Sequence, residues 1–281
     1  MNLNDRIIAA KRLTEYLGLW KLKPEDDAFY TPCSLLQPVL YRGLPAMLKI
    51  AMEAEERKGA LLMNWWNGIG AAKVYEYDHQ ALLLERISGE LSLMKIIAKG
   101  QDSGATRILC SVAKKLHAPR GSHPDFDLIT LEEWFKDLWP GAVKYGGIIN
   151  ECAQVAKVLL SAQTDYVVMH GDLHHQNVLY AGDRGWLAID PKRLWGERAF
   201  DYANIFCNPD KEIALAPGRF EQQLQVVSEE ADIPLLHLLK WTIAWCGLSA
   251  TWILNEPQDN ETAEIDLGVA RIALDMLQSS Q

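Results

Sequence analysis

The stretch YVVMHGDLHHQNVLY, residues 166–180, runs from apolar to polar and back to apolar. Between its two strand-like ends it gathers His170, Asp172, His174, His175 and Asn177. Asp172 and Asn177 are five positions apart, and Asp190 follows thirteen positions after Asn177, at the end of the apolar run WLAI. Two carboxylates and an amide at this spacing suit phosphoryl transfer. That reaction needs a carboxylate to orient an acceptor hydroxyl and take its proton, and oxygen ligands to hold Mg²⁺ against nucleotide phosphates. Mg²⁺ prefers oxygen donors and takes only one or two carboxylates beside phosphate and water. Asp172 suits the first task; Asn177 and Asp190 suit the second. Two other readings stand beside this one. A lone His-Gly-Asp is also what an Asx turn looks like. Three histidines near an aspartate are also donors of the zinc type. Against zinc, His174 and His175 are neighbours whose side chains diverge, and no further histidine lies at a ligand-like spacing.

Such a loop needs a frame that brings Asp190 back to it. The runs NVLY and WLAID flank the turn AGDRG and read as a hairpin that returns Asn177 and Asp190 to one end of a cleft. Upstream, Leu3, Ile7, Ile8, Leu13 and Leu17 share one face of a helix over residues 3–19. LLQPVLYRG and LPAMLKI read as two strands joined at Arg42-Gly43. AMEAEERKGALLMNWWNG reads as a helix of good helix formers closed at Asn67-Gly68. AAKVYEY and ALLLERI read as two more strands with a turn at Asp78-His79. Beyond Ser88-Gly89 the pattern turns helical: residues 91–99, 104–117, about 145–163, and most of 198–278. A sheet-rich first third and a helix-rich remainder predict an α+β chain in two unequal lobes, residues 1–87 and 88–281, with a cleft between them. No repeat is visible.

The 281 residues are 49% hydrophobic and 23% charged, the balance of an ordinary globular protein. A net charge of −9 argues against nucleic acid and anionic membrane surfaces as partners and weakly favours a cationic small molecule. Cys33, Cys110, Cys152, Cys207 and Cys246 are scattered with no CxxC pair, which fits free thiols in a reducing compartment. The opening MNLNDRIIAAKRLTEYLGLW lacks the apolar core of a signal peptide, and no run approaches the ~18 apolar residues of a membrane span. The expectation is a cytoplasmic protein with no membrane partner.

HGDLHHQN followed by ID is similar to the HRDLxxxN and DFG pair of protein kinases, with Gly171 replacing Arg and no Phe-Gly after Asp190. Together with RGWLAIDP, GERAFDYANIFCNP and ALLLERISG, it resembles the small-molecule branch of that superfamily. Within that branch the chain resembles the aminoglycoside/hydroxyurea resistance kinases, which include the streptomycin 6-phosphotransferases. The likeness runs from about residue 30 to about residue 255.

The resemblance implies a protein-kinase-like fold, with a small antiparallel-sheet lobe and a larger, mainly helical one. It implies ATP and Mg²⁺ as cofactors and transfer of the γ-phosphate to a small-molecule hydroxyl. A streptomycin-type aminoglycoside is the first choice of acceptor; an amino alcohol or sugar metabolite, or a nucleotide-binding pseudokinase, is the alternative. It implies a phosphate-binding lysine on a strand, Lys49, with Glu56 favoured over Glu53 and Glu55 as its helix partner. Adenine would meet backbone groups near Glu85 and Ile87 in LLLERISG. No GxGxxG is present, and Ser34 in YTPCSLLQP would be the phosphate contact in its place, through its N–H and hydroxyl. Asp201 and His170 would brace the catalytic loop, and His117 is read as a packed core histidine. The acceptor would lie beside Asp172, walled by helices after residue 200. There Trp241, Trp245 and Trp252 share a helical face, as core or as pocket floor, and Glu256, Asp259 and Glu261 are nearby carboxylates. A monomer or weak dimer is expected.

Overall fold

The computed structural model describes residues 2–87, 89, 91–256 and 260–279, with side chains for all of these except 54, 55, 260 and 261. Helix α1 (Leu3–Leu19) starts where Asn2 accepts the Asp5 N–H at 2.9 Å. Strands β1 (Lys23–Pro24), β2 (Phe29–Tyr30), β3 (Ser34–Tyr41) and β4 (Leu44–Ala51) follow, then α2 (Ala54–Trp66), β5 (Val74–Tyr77) and β6 (Leu82–Glu85). The strands form one antiparallel sheet in the order β1-β3-β4-β6-β5, with β2 also on β3. Arg42 and Gly43 both take positive φ, +53° and +81°, in the two-residue turn whose twist matches the strands it joins.

Alternation along the strands decides what faces the cleft. Leu35 and Val39 of β3, Ala46, Leu48 and Ile50 of β4, and Leu83 of β6 pack against Ala9, Leu13 and Tyr16 of α1. The register pairs Leu36 with Lys49 and Lys49 with Leu82, so these three share the opposite face. There Leu82 and Leu84 meet Ala60 and Met63 of α2, with Ile189 packed against them. Helix α2 ends at Asn67, left-handed at φ +50°. Gly59 brings its backbone hard against the residue after Asp190: a Cβ there would lie 2.7 Å from the Pro191 carbonyl oxygen. That contact sets Glu56 and Asp190 side by side.

The remainder comprises α3 (Leu93–Ile97), α4 (Asp102–His117), β7 (Ile129–Thr130), α5 (Leu131–Trp134), α6 (Leu138–Tyr145) and α7 (Gly147–Leu160). Then come β8 (Tyr166–Met169), β9 (Val178–Tyr180), β10 (Trp186–Ala188), β11 (Leu194–Glu197), a 3₁₀ segment (Arg198–Cys207), α8 (Lys211–Ala214), α9 (Arg219–Ala231), α10 (Leu235–Asn255) and α11 (Asn260–Ser279). One large apolar core runs through it, with α10 buried along most of its length. No single helix among the described residues is long and apolar enough to cross a membrane.

Several elements differ from the sequence expectation. The helix expected at about 145–163 is α7, Gly147–Leu160, but α6 before it, Leu138–Tyr145, was not expected; Gly146 and Gly147, both at positive φ, separate the two. Residues 198–207 are 3₁₀ rather than α-helical. Strand β11 pairs with β8, yet its four residues, LWGE, carry too little periodicity to be seen alone. Ser88 and Glu90 lie outside the described residues.

Candidate active site

Lys49 comes from the middle of β4, buried under the sheet. Its Nζ donates to Asp190 Oδ1 at 2.7 Å and lies 3.4 Å from Glu56 Oε2. Burial alone would lower the ammonium pKa; the charges of Asp190 and Glu56 outweigh it and raise the pKa above the ordinary lysine value. The lysine is therefore a fixed cation. Glu56 also accepts from the Ser34 hydroxyl, and the Ser34 N–H donates to Thr31 Oγ1 at 3.0 Å. Both donors expected to meet phosphate are thus engaged within the chain, and Ser34 reaches a nucleotide only if those bonds open.

Asp190 sits in the left-handed region at φ +60°, a strained position for a non-glycine residue. The Ile189 N–H donates to the Asn177 carbonyl at 2.9 Å, which carries Asp190 to the catalytic loop. Asn177 Nδ2 donates to the Asp172 carbonyl at 2.9 Å and to Asp172 Oδ2 at 3.3 Å. With its nitrogen committed, Asn177 can offer a metal only its amide oxygen. Asp190 and Asn177 together supply hard oxygen donors, which fit Mg²⁺. Among the described residues no three His, Cys, Asp or Glu side chains converge as a protein metal cage, so a cation here would be completed by phosphate and water.

The other oxygen of Asp172 accepts from Asn204 Nδ2 at 2.9 Å. Asn208 fixes that amide by donating to Asn204 Oδ1 at 2.8 Å. His174 Nε2 lies 3.8 Å from Asp172 Oδ1, and Lys192 Nζ 3.9 Å from Oδ2. The loop itself is braced from below. Asp201 is buried and accepts from the His170 N–H at 2.9 Å, the Gly171 N–H at 2.6 Å and His117 Nε2 at 2.7 Å. His170 Nε2 donates to the Ile189 carbonyl at 2.8 Å while its Nδ1 accepts from the Asp172 N–H at 3.2 Å. Both ring nitrogens are so used, and burial lowers the pKa and keeps the ring neutral. His175 turns into the core, where burial and then the Arg219 charge push its pKa down to about 3. The three histidines do not converge on one point.

Burial would raise the Asp201 pKa, but the His117 bond, its charge and the Gly171 N–H lower it below the ordinary carboxylate value. A carboxyl with a depressed folded pKa contributes stability above its unfolded pKa, ~3.9, and loses it as pH falls through the folded value. Asp201→Asn is expected to cost about 1.5–3 kcal/mol or more, because it weakens hydrogen bonds that are made to a buried charged group. The gap in melting temperature from wild type should be full at neutral pH and shrink in acid. A gap that stays constant down to the lowest pH at which the wild type folds would refute the ionised brace.

Beside Asp172 opens a cavity of about 520 Å³. Trp134, Trp245 and Trp252 wall it; Lys192, Asn204, Ser249 and Asp266 supply polar groups. Trp252 is held by a 3.0 Å bond from its Nε1 to Asp137 Oδ2 and by an edge contact with Trp134. Of the tryptophan stripe, Trp241 is core, while Trp245 and Trp252 reach the cavity. Besides Asp172, the described lining carries the carboxylate of Asp266; of the three carboxylates suggested by the sequence, Glu256 is exposed and outside the lining, Asp259 lies outside the described residues, and the Glu261 side chain is not among those described. Near the hinge, the Lys73 N–H reaches the Glu85 carboxylate at 2.6 Å, and Arg184 pairs with the same group. The Glu85 N–H meets the Lys73 carbonyl, and Ile87 packs against the Leu82, Leu84 and Met63 cluster.

A cation and an oxygen-ligand pair thus face a carboxylate that borders an aromatic-walled cavity. A family model for aminoglycoside/hydroxyurea antibiotic resistance kinases matches residues 19–256. The chain belongs to that family. It is 45% identical over 264 residues to the streptomycin 3''-kinase of Klebsiella pneumoniae, covering 92% of this chain and 98% of that one. It is 31% identical over 253 residues to the streptomycin 6-kinase of Streptomyces griseus, covering 84% and 80%. Among solved structures, an aminoglycoside phosphotransferase in ternary complex with ADP and hygromycin B is similar at a TM-score of 0.66 and 11% identity, over 93% of this chain and 97% of that chain. The fold of this family member is protein-kinase-like, as its sequence implies, and the chain is a kinase.

Lys192, Asn204 and Asp266 were not among the residues singled out from sequence. His117, read there as core packing, is a hydrogen-bonded partner of Asp201.

Proposed function

We propose that this kinase transfers the γ-phosphate of ATP to a hydroxyl of streptomycin and thereby confers resistance to it. The observation that carries this reading is the cavity beside Asp172, with three tryptophans and Asp266 in its wall. Aromatic faces and a carboxylate suit the guanidinium groups of such an acceptor. The relative at 45% identity is named for the same substrate. Catalysis is positioning and charge neutralisation. Asp172 orients the hydroxyl and takes its proton. Lys49, fixed by Glu56 and Asp190, faces the phosphates. Asp190 and the Asn177 oxygen would hold Mg²⁺, which when bound would supply positive charge to offset that of the phosphates. Adenine would lie at the hinge, against backbone groups near Glu85 and Ile87. Residues 1–87 act as the nucleotide lobe and 88–281 as the catalytic and acceptor lobe, in a cytoplasmic monomer or weak dimer.

A phosphate-transfer screen with Mg·ATP across streptomycin, hydroxyurea, choline and a neutral polyol tests this. Streptomycin should gain one phosphoryl group, and NMR of the product reads whether the 3'' or the 6 hydroxyl carries it. Phosphorylation of the polyol alone would overturn the cationic acceptor. Asp266→Asn, with an unchanged melting temperature, should raise KM for streptomycin roughly 10-fold or more at similar kcat, because a hydrogen bond to a charged group contributes about 1.5–3 kcal/mol. An unchanged KM would remove Asp266 from the acceptor site.

A further inference from the structure

We propose that Lys192 is a second phosphate-binding cation, one that engages the γ-phosphoryl group during transfer. This rests on the phosphotransferase reading above. Lys192 lines the acceptor cavity and also the crevice on the nucleotide side that holds Lys49, Glu56 and Asp190. It therefore stands at the junction of the two, where a group passing from nucleotide to acceptor must travel.

Its backbone is fixed on both sides. The Lys192 N–H donates to the His170 carbonyl at 2.7 Å, and Pro191 before it is pressed against Gly59. Gly171, next to Asp172, takes φ +78°, and a Cβ there would lie 2.7 Å from Leu194 Cγ and 3.1 Å from Lys192 Cβ. The catalytic loop and residues 192–194 so pack without slack, and the stem of Lys192 keeps a set position relative to Asp172.

The two lysines of the site differ in their engagement. Lys49 is bonded to Asp190 and close to Glu56, two carboxylates that offset its charge. The ammonium of Lys192 is 3.9 Å from Asp172 Oδ2, beyond hydrogen-bond length, on a side chain about a quarter exposed (27%). It can swing onto a phosphate oxygen without breaking that contact's worth of bonding. In the transfer step the acceptor oxygen bonds to Pγ as the bond from Pγ to the bridging oxygen breaks. The electron pair leaves with ADP, and the hydroxyl proton goes to Asp172. Charge spreads over the three equatorial oxygens meanwhile. An ammonium beside Asp172 donates to one of them and keeps its own proton throughout. The same cation keeps the Asp172 carboxylate and the incoming phosphate from repelling one another.

Lys192→Met keeps the length of the stem and removes the charge. With the acceptor identified by the screen, its kcat should fall ~10²–10³-fold, the loss typical of a preorganised donor to developing charge. KM for Mg·ATP and for acceptor should change less than about threefold, since the contact belongs to the transition state. Lys192→Arg should recover part of kcat. A second measurement needs no acceptor: binding of Mg·ADP with and without aluminium fluoride, which occupies the γ-phosphoryl position. Wild type should gain affinity on adding the fluoride; Lys192→Met should bind Mg·ADP normally and lose most of that gain. An equal gain in the variant would overturn the proposal, even if kcat fell through disturbance of Asp172. Failure of wild type to phosphorylate streptomycin would count against the acceptor and leave this second measurement decisive for Lys192.

Discussion

Asp172→Asn is expected to turn over ~10²–10⁴-fold more slowly than wild type, the loss that follows removal of a positioned general base, while binding Mg·ATP as before. The local bonding sharpens this. Each carboxylate oxygen of Asp172 accepts from a different amide, Asn177 at 3.3 Å and Asn204 at 2.9 Å. An asparagine side chain has one oxygen and one NH₂ group. Whichever way it turns, its NH₂ faces one of those two donors. The variant therefore loses both the base and the orientation of what replaces it. Asn204→Ala should fall less far, because it frees one oxygen of Asp172 without removing the base. Nucleotide binding should be spared in Asp172→Asn, because the ammonium of Lys49 and the carboxylate of Asp190 are bonded to each other and not to Asp172. Single-turnover rates with saturating acceptor, beside equilibrium binding of Mg·ATP, separate the two effects. A variant that kept more than half the wild-type rate would remove Asp172 from the chemistry.

The catalytic loop was legible because its chemistry demands particular residue types at short, fixed spacing. A base, an oxygen ligand five residues on, and a second ligand across a small hairpin leave a pattern in one dimension. Lys49 and Glu56 were suggested by the family resemblance rather than by spacing, and the strand and the next helix do set them 3.4 Å apart. Apart from Trp245 and Trp252, the acceptor side was hidden because its residues come from elements far apart in the chain, Trp134 of α5 among them. Asn204 and Cys207 line the cavity from a 3₁₀ segment, Trp245, Ser249 and Trp252 from α10, and Thr262, Ile265 and Asp266 from α11. Signals existed in part. Asp201, Asn204 and Cys207 recur every third residue, the period of the 3₁₀ helix they form. Positions 262, 265 and 266 have the spacing of one helical face. Yet an aspartate or asparagine on such a face is more often solvated, and only packing against α10 converts it to a cavity wall. Lys192 was hidden differently: it follows Asp190 and Pro191 in a KR pair that looks like a surface turn. Left-handed backbone at Asp190 and Arg193, φ +60° and +59°, brackets this cavity-lining lysine, and no residue type announces that.

Asp190→Asn is expected to raise the Mg²⁺ concentration needed for half-maximal rate well above that of wild type and to lower the limiting rate ~10²-fold or more, because it removes the charged ligand that neutralises phosphate through the metal. Asparagine is the better variant here than alanine. Asp190 is left-handed at φ +60°, a conformation that asparagine tolerates and alanine resists. Alanine would add backbone strain to the loss of the ligand, and a fall in activity would then have two causes. The change also touches Lys49, which loses its ionic partner at 2.7 Å and keeps Glu56 at 3.4 Å. Stripping a buried cation of its only partner costs ~3–5 kcal/mol. The cost here should be smaller, since Glu56 remains and the Asp190 side chain is itself about a third exposed (35%). A modest drop in melting temperature with a large shift in Mg²⁺ requirement is therefore the signature of a metal ligand. A large drop in melting temperature with an unchanged Mg²⁺ requirement would instead make Asp190 the anchor of Lys49 and nothing more. Asn177→Ala supplies the control: it deletes a neutral oxygen, so its Mg²⁺ titration should shift the same way and less far. A greater shift for Asn177→Ala than for Asp190→Asn would invert the assignment of the charged and neutral ligands.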